Sequence, residues 1–248
     1  IANEGATVTI EKFNYDDCVR LATAESKKVE NGVVVQDTAW DGYEDIPNWI
    51  MQGYGTLAME ASQQLEQSGC NIPTHIVVQA GVGSLAGAMV GYFSNFYHDA
   101  IYKPKFIVVE ADGAACLYKG AVANDGNPRI VEGDLPTIMA GLACGEPNTV
   151  SWDILRNHVD YFVAVPDWVA RLGMRVSAAP LKGDTSIISG ESGAAPLGFI
   201  MAVMTMAEYE DLRNELELNE HSKVLCFSTE GNTDPDRYKN IVWYGLDT

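Results

Sequence analysis

Apolar residues along the chain follow two alternating patterns. Short unbroken runs, "HIVVQA" at 75–80 and "KFIVVEA" at 105–111, have no polar face, and such runs read as strands buried on both sides of a sheet. Around them lie segments with apolar residues at helical spacing, "NYDDCVRLATAESKK" at 14–28 and "IMQGYGTLAMEASQQLEQSG" at 50–69. Asn14 is the N-cap of the first, followed by acids in its first turn, and Gly69 closes the second. Further on, "TVSWDILRNHVD" reads as a short helix, and "YFVAVPDWVARLGMR" as a strand leading to a helix with Asp167 near its start. "ISGESGAAPLGFIMAVMTM" carries small residues into a long apolar helix, and "KVLCFSTEGN" is a last strand running into a polar turn. "GATVTI" at 5–10 and "GVVVQDTA" at 32–39 also have strand chemistry, whereas "WDGYEDIPNW", broken by Gly42 and Pro47, reads as a loop. Alternating strands and helices predict an α/β fold, a mostly parallel twisted sheet with helices on both faces and ligands beyond the carboxyl ends of the strands.

One such end is unusual. In "VVQAGVGSLAGAMVG" at 77–91, two β-branched residues give way to Gly81, Gly83, Gly87 and Gly91 at the start of a helix. Glycine lets backbone approach a ligand closely, and amides at a helix N-terminus offer donors and a positive dipole end to an anion. The spacing also satisfies G-x-G-x-x-A through Gly81, Gly83 and Ala86, with Glu110 where a dinucleotide site would hold a ribose. Two phosphate ligands, a nicotinamide dinucleotide and a smaller cofactor, therefore compete for this loop, beside the plainer reading of a glycine-rich helix packed on a sheet.

Composition narrows the field. The chain has 248 residues, 47% of them hydrophobic, enough for a sizeable core. A net charge of −18 provides no Lys/Arg cluster to replace the counterions of a nucleic acid, so no nucleic-acid partner is expected. No run of about 18 apolar residues and no basic-then-apolar leader pattern is present, so no membrane partner and a cytoplasmic location are expected. Cys18, Cys70, Cys116, Cys144 and Cys226 lack ligand or framework spacing and read as small core residues, with no metal site. His75, His98, His158 and His221 lie in unrelated contexts, and no G-x-S-x-G elbow accompanies the serines of the glycine-containing turns, which argues against a hydrolase.

Four segments in order, "MQGYGTLAMEASQQ", "VVQAGVGSLAGAM", "LPTIMAGLACGEP" with "ISGESGAAPLGF", and "VLCFSTEGNTD", carry a resemblance. They are similar to the C-terminal two-thirds of the fold-type II pyridoxal-phosphate enzymes, the serine/threonine dehydratase and tryptophan synthase β superfamily. Members commonly carry a G-Q-G-T helix, a glycine-rich phosphate loop, a DGLA-like segment, an E-x-S-G-A helix start and a terminal S-G-G-N. Here these become "QGYGT", "AGVGSL", "AGLA", "GESGAA" and "STEGN". The resemblance implies pyridoxal 5′-phosphate as cofactor, with its phosphate on Gly81, Val82, Gly83, Ser84 and Leu85, through backbone amides and the Ser84 hydroxyl. Thr229 matches the residue beside the pyridine nitrogen, with Ser228 one position away as the alternative. Glu230 departs from the usual glycine and brings a carboxylate near that end.

The resemblance further implies residues 1–36 as part of a smaller domain, 37–248 as the large cofactor-binding domain, and a homodimer. In the family the linking lysine sits in an N-terminal S-x-K motif followed by an asparagine-bearing loop, and the nine lysines here lie in contexts such as "ESKK", "YKPKF" and "PLKGD" that do not resemble it, so the lysine that links the cofactor is expected from a segment outside these residues. "WDGYEDIPNWIMQGYGT" and "GLACGEPN" resemble the branch that acts on a small diamino acid, which implies α,β-elimination of ammonia from 2,3-diaminopropionate. Asp41 is then the expected contact for the second amine, with Asp37 and Asp45 as competitors and a solvated acidic loop as the plain alternative. Tyr43 and Trp40 are expected to anchor that loop, and Glu191 to sit at a helix start as a dipole partner. A serine or threonine dehydratase, a nicotinamide-dependent oxidoreductase and an inactive binding fragment are the competing functions.

Overall fold

A computed structural model describes residues 2–70 and 72–246 of the chain. Thirteen elements follow the order α1 (Tyr15–Ser26), α2 (Asp45–Gln67), β1 (His75–Gln79), α3 (Ser84–Phe96), β2 (Lys105–Ala111), α4 (Cys116–Ala123), α5 (Thr149–His158), β3 (Tyr161–Val165), α6 (Asp167–Ala178), α7 (Glu191–Thr205), α8 (Glu210–Glu215), β4 (Val224–Cys226) and α9 (Pro235–Val242), with short 3-10 turns between some of them. The strands form one parallel sheet in the order β3-β2-β1-β4.

The apolar runs become strands for the reason the pattern suggests. Ile76, Val78, Phe106 and Val108 point to one face, where they pack with Met89 and Phe93 of α3 and Trp152 and Leu155 of α5. Val77, Ile107 and Val109 point to the other, against Val169 of α6, Phe199 and Val203 of α7 and the 135–142 segment. Each such side chain contributes about 1.5–3 kcal/mol on leaving water. Helices α6 and α7 meet backbone to backbone: a Cβ on Gly198 would lie 1.9 Å from the Val169 carbonyl oxygen, so only glycine permits the contact.

Three expectations change. Residues 5–10 and 32–39 form no strand, because the described residues offer them no partner, and Val33 and Val35 remain exposed. Just beyond the second segment, an isolated bridge pairs Trp40 with Tyr43. The expected loop at 40–49 is shorter, since α2 starts at Asp45 and contains Pro47. Proline is tolerated in a first turn, where its missing N–H has no helical acceptor to lose. Helices α4, α8 and α9 add to the predicted set. No helix among the described residues is long and apolar enough to cross a membrane.

The topology locates a site. β1 lies between β2, which it reaches through α3, and β4, which arrives from the opposite side of the molecule. Such a reversal of strand order opens a crevice beyond the carboxyl ends of the strands. The turns after β1 and β4 meet there.

Candidate active site

A cavity of about 340 Å³ lies at this crevice. Its lining includes the turn Gly81–Leu85, Thr229 and Glu230 after β4, Asp37 and Tyr54, and Ser192 of α7. The described lining residues include no lysine, arginine or histidine.

The glycine turn forms one wall. Gly83 is the N-cap of α3 with φ +99°, a left-handed conformation that side chains other than glycine's resist, and no side chain caps the helix. A Cβ there would meet Ser151 Oγ, Leu155 Cδ1 and Leu117 Cδ1 at 3.0–3.2 Å. The first helical bond runs from the Gly87 amide to the Gly83 carbonyl at 2.7 Å, so the amides before it belong to the turn that helices leave without backbone acceptors. The Ser84 hydroxyl departs from the sequence expectation. It donates to the Asp37 carbonyl at 2.7 Å and accepts from Asn148 Nδ2 at 2.9 Å. A hydroxyl has one proton, and this one is committed to Asp37, so Ser84 offers the cavity its amide and not its side chain.

Glu110 lies away from any ribose position. It is fully buried and accepts from the amides of Leu117 at 2.9 Å and Tyr118 at 2.7 Å, the first turn of α4. Burial pushes its carboxyl up to about 8 against those two bonds, which favour the charged form. The acid that resembled a dinucleotide signature is a helix cap.

At the opposite end, Gln79 closes β1. Its Nε2 donates to the Phe227 carbonyl at 2.9 Å and to Thr229 Oγ1 at 2.8 Å. Thr229 lines the cavity, whereas Ser228 donates its hydroxyl to Ser189 Oγ at 2.8 Å and is not part of the lining. Glu230, the unusual acid, turns to α7: its Oε2 accepts from the amides of Ser192 at 2.6 Å and Gly193 at 3.3 Å. Ser192 Oγ in turn accepts from the Gly141 amide at 3.1 Å, which ties the "AGLA" segment to the same helix start. Glu191 faces Arg237 at 3.9 Å, outside the cavity lining, and burial raises its carboxyl.

The acidic loop separates its members. Asp37 lines the cavity, and its Oδ2 accepts from the Tyr54 hydroxyl at 3.0 Å. Asp41, expected to meet the substrate, is exposed in the turn and outside the lining, and Asp45 is exposed at the start of α2. The reason is local: Trp40 and Tyr43 stack at 4.4 Å and bridge by backbone, and Tyr43 donates to the Val34 carbonyl at 2.8 Å. The aromatic pair anchors a tight turn with Asp41 at its tip. Burial pushes the phenols of Tyr15 and Tyr54 up to about 12, so both enter the cavity as O–H groups. Burial also pushes the Cys144 thiol at the cavity wall up to about 12, which removes it as a thiolate nucleophile.

Gln79, Tyr54 and Tyr15 were not singled out from sequence. Gln79 had a readable signal, an amide side chain at the last position of an otherwise apolar strand.

The arrangement can hold an anion on backbone amides and present the neutral Thr229 hydroxyl and the Asp37 acid in the same cavity. Comparison with known proteins agrees with this chemistry. The family model described as pyridoxal-phosphate dependent enzyme matches residues 1–230. Diaminopropionate ammonia-lyase of Salmonella typhimurium is 52% identical over 246 residues, covering 99% of this chain and 60% of that protein. The holo diaminopropionate ammonia lyase of Escherichia coli superposes with a TM-score of 0.90 at 46% identity, covering 98% of this chain and 59% of that one. Threonine deaminase of Solanum lycopersicum, at 17% identity and a TM-score of 0.70 over 99% of this chain and 62% of that one, shares the fold. The chain thus spans about 60% of the length of the curated relatives it matches. With a family model matched over nearly its whole length, the chain belongs to the pyridoxal-phosphate-dependent enzymes.

Proposed function

We propose that the complete enzyme eliminates ammonia from 2,3-diaminopropionate, giving pyruvate and ammonia. The similarity at 52% and 48% identity to two diaminopropionate ammonia-lyases supports this reading. The observation that carries it is a single cavity holding an uncapped glycine turn, a neutral hydroxyl and the Asp37 carboxylate.

The residues fit pyridoxal phosphate. A phosphate monoester suits the amides of Gly81, Val82, Gly83, Ser84 and Leu85 at the positive end of α3, where no side chain among the described residues caps the helix. Thr229 Oγ1 suits a ring nitrogen. When bound, the cofactor supplies an electron sink for bond breaking at the substrate α-carbon. A neutral hydroxyl at the nitrogen leaves that sink weaker than a carboxylate would, which suits a reaction whose electrons depart with the β-amine. The Tyr54 hydroxyl holds Asp37 Oδ2, leaving Oδ1 to meet the second ammonium and keep it protonated, so that it departs with the C–N bonding pair as neutral ammonia. On this reading residues 1–36 belong to a smaller domain and 37–248 to the cofactor domain. The linking lysine comes from a segment outside these residues, and the working unit is a cytoplasmic homodimer, checked by light scattering of the complete enzyme.

Asp37→Asn and Asp41→Asn in the complete enzyme test the substrate assignment. Only the diamino substrate brings a positive charge to Cβ, so Asp37→Asn should lower kcat/KM for diaminopropionate about a hundredfold while leaving activity on serine nearly unchanged. Asp41→Asn should leave both near wild type. Equal loss on both substrates in Asp37→Asn would make the loop a closure element, and selective loss in Asp41→Asn would move the contact to the turn.

A further inference from the structure

We propose that Gln79 is a positioning residue that fixes the direction of the Thr229 hydroxyl proton, so that Thr229 meets the cofactor ring nitrogen as a donor and holds it unprotonated. The inference rests on the reading that Thr229 faces that nitrogen.

The argument begins with the orientation of the Gln79 amide. Its two polar ends are alike in shape, and hydrogen-bond partners decide between them. One end lies 2.9 Å from the Phe227 carbonyl, which can only accept. That end is therefore nitrogen, and the same nitrogen lies 2.8 Å from Thr229 Oγ1. An amide nitrogen has two hydrogens and no acceptor capacity, so one hydrogen serves each oxygen. Thr229 Oγ1 thus accepts from Gln79, and its own proton points elsewhere. Thr229 lines the cavity, so the cavity receives an O–H donor.

The arrangement has a cost that marks it as specified by the site. Gln79 is 3% exposed, and its Oε1 is buried without a hydrogen-bond partner among the described residues. Inverting the amide would satisfy neither Phe227 nor the nitrogen, so the orphan oxygen follows from committing both hydrogens to the turn after β4. An apolar residue would suit the last position of this buried strand better, as at Ile76, Val77 and Val78 before it. What glutamine adds is control over the hydroxyl. Without the amide, nothing would hold the Thr229 oxygen as an acceptor, and its proton would no longer be fixed on the cavity.

Hydroxyl direction and ring protonation are two sides of one bond. A donor at the ring nitrogen requires a lone pair there, whereas an oxygen lone pair facing the nitrogen favours a proton on the ring. Gln79→Glu reverses the polarity in either ionisation state. As a carboxylate it can only accept. As an acid its single proton goes to the Phe227 carbonyl, and the same oxygen, standing where the amide nitrogen stood, accepts from Thr229 through a lone pair.

The test uses the complete enzyme reconstituted with pyridine-15N pyridoxal phosphate, reading the nitrogen chemical shift and cofactor affinity. Wild type should show a nitrogen in the unprotonated, hydrogen-bonded range. Gln79→Glu should shift it towards the pyridinium position, with cofactor affinity near wild type because the phosphate turn is untouched, and should lower kcat more than it changes KM. Gln79→Met, close in volume and without polar hydrogens, should move the signal towards free pyridine. If Thr229→Val shifts the signal and both Gln79 variants leave it at the wild-type position, the Gln79 assignment is overturned and the Thr229 reading stands. If Thr229→Val leaves the signal unmoved, the ring nitrogen does not face Thr229 and both fall.

Discussion

Helices α3 and α7 both start at the cavity, and the chain treats the two starts in opposite ways. At α7 the protein supplies its own anion: Glu230 reaches from the turn after β4 to the amides of Ser192 and Gly193. At α3 the N-cap is Gly83, with no side chain to offer. α4, just behind the cavity wall, follows the α7 pattern, with Glu110 on the amides of Leu117 and Tyr118. All three ends carry the same partial positive charge and the same amide donors. The difference lies in which end the protein satisfies by itself, and it explains how a cavity in a chain of net charge −18 can select an anion. The two neighbouring starts already carry internal carboxyl groups, Glu230 at α7 and Glu110 at α4, so on the proposed reading the start capped by glycine is the one left for an external phosphate.

The strongest way to break this contrast is to give α3 a cap like that of α7. Gly83→Asp puts a carboxylate on the first-turn amides, competing with the cofactor phosphate and repelling it. Gly83→Asn caps in the same way without charge and tolerates the left-handed backbone better than most residues. Both meet the same close neighbours, Ser151, Leu155 and Leu117, so the difference between them isolates the charge. Cofactor titration of the complete enzyme should show Gly83→Asp at least a hundredfold weaker than Gly83→Asn, about 3 kcal/mol. Equal affinity for the two variants would place the phosphate elsewhere.

Glu110 sharpens the contrast through pH. Its carboxyl titrates near 8 in the folded chain, against the ordinary 4.5. Between those values the folded state keeps a proton that the unfolded state has released, so stability falls as pH rises through the window and levels off above it. The slope is at most about 1.4 kcal/mol per pH unit. Chemical denaturation from pH 5 to 9 should show that decline in wild type and a flatter profile in Glu110→Gln. An unchanged slope in the variant would mean that Glu110 stays ionised in the folded chain across this range.

The sequence was most legible where burial decides everything. β1 and β2 are apolar on both faces because helices cover both faces, so Ile76 to Val78 and Phe106 to Val109 could be read without knowing their partners. Asn14 was readable as a cap because its partner is local, the Asp17 amide at 2.9 Å. Val33 and Val35 carry a strand pattern without forming a strand, because a β pattern states that a segment can pair, not that a partner is present. Asp37 and Asp41 look alike in sequence, as a loop's acids do, and the Trp40–Tyr43 turn is what separates the inner from the outer one. The Ser84 hydroxyl was assigned outward because its competing acceptor, the Asp37 carbonyl, lies 47 residues away in sequence. Glu110 and Gln79 make the same point in reverse. Their partners in α4 and in the turn after β4 are invisible to local pattern, although each polar residue in an apolar strand signalled that a partner existed.

The smallest expected effect falls on Glu230, where a cap must be told apart from a counter-ion. Glu230 lines the cavity beside Thr229, so a carboxylate there could act on the cofactor ring as well as on α7. The geometry assigns it to the helix, because one oxygen receives both amide bonds. Gln keeps an acceptor for those amides and removes the charge. Glu230→Gln should therefore lose only the charge–dipole part of the cap, about 0.5–1 kcal/mol, seen as a small fall in Tm. The 15N signal of the bound cofactor should stay where wild type places it, because on the proposed reading the ring nitrogen meets Thr229, whose hydroxyl Gln79 orients. A clear shift of that signal without loss of stability would reverse the assignment. Glu230 would then be the group that sets the ring, and α7 would be as dispensable to it as α3 is to any side chain.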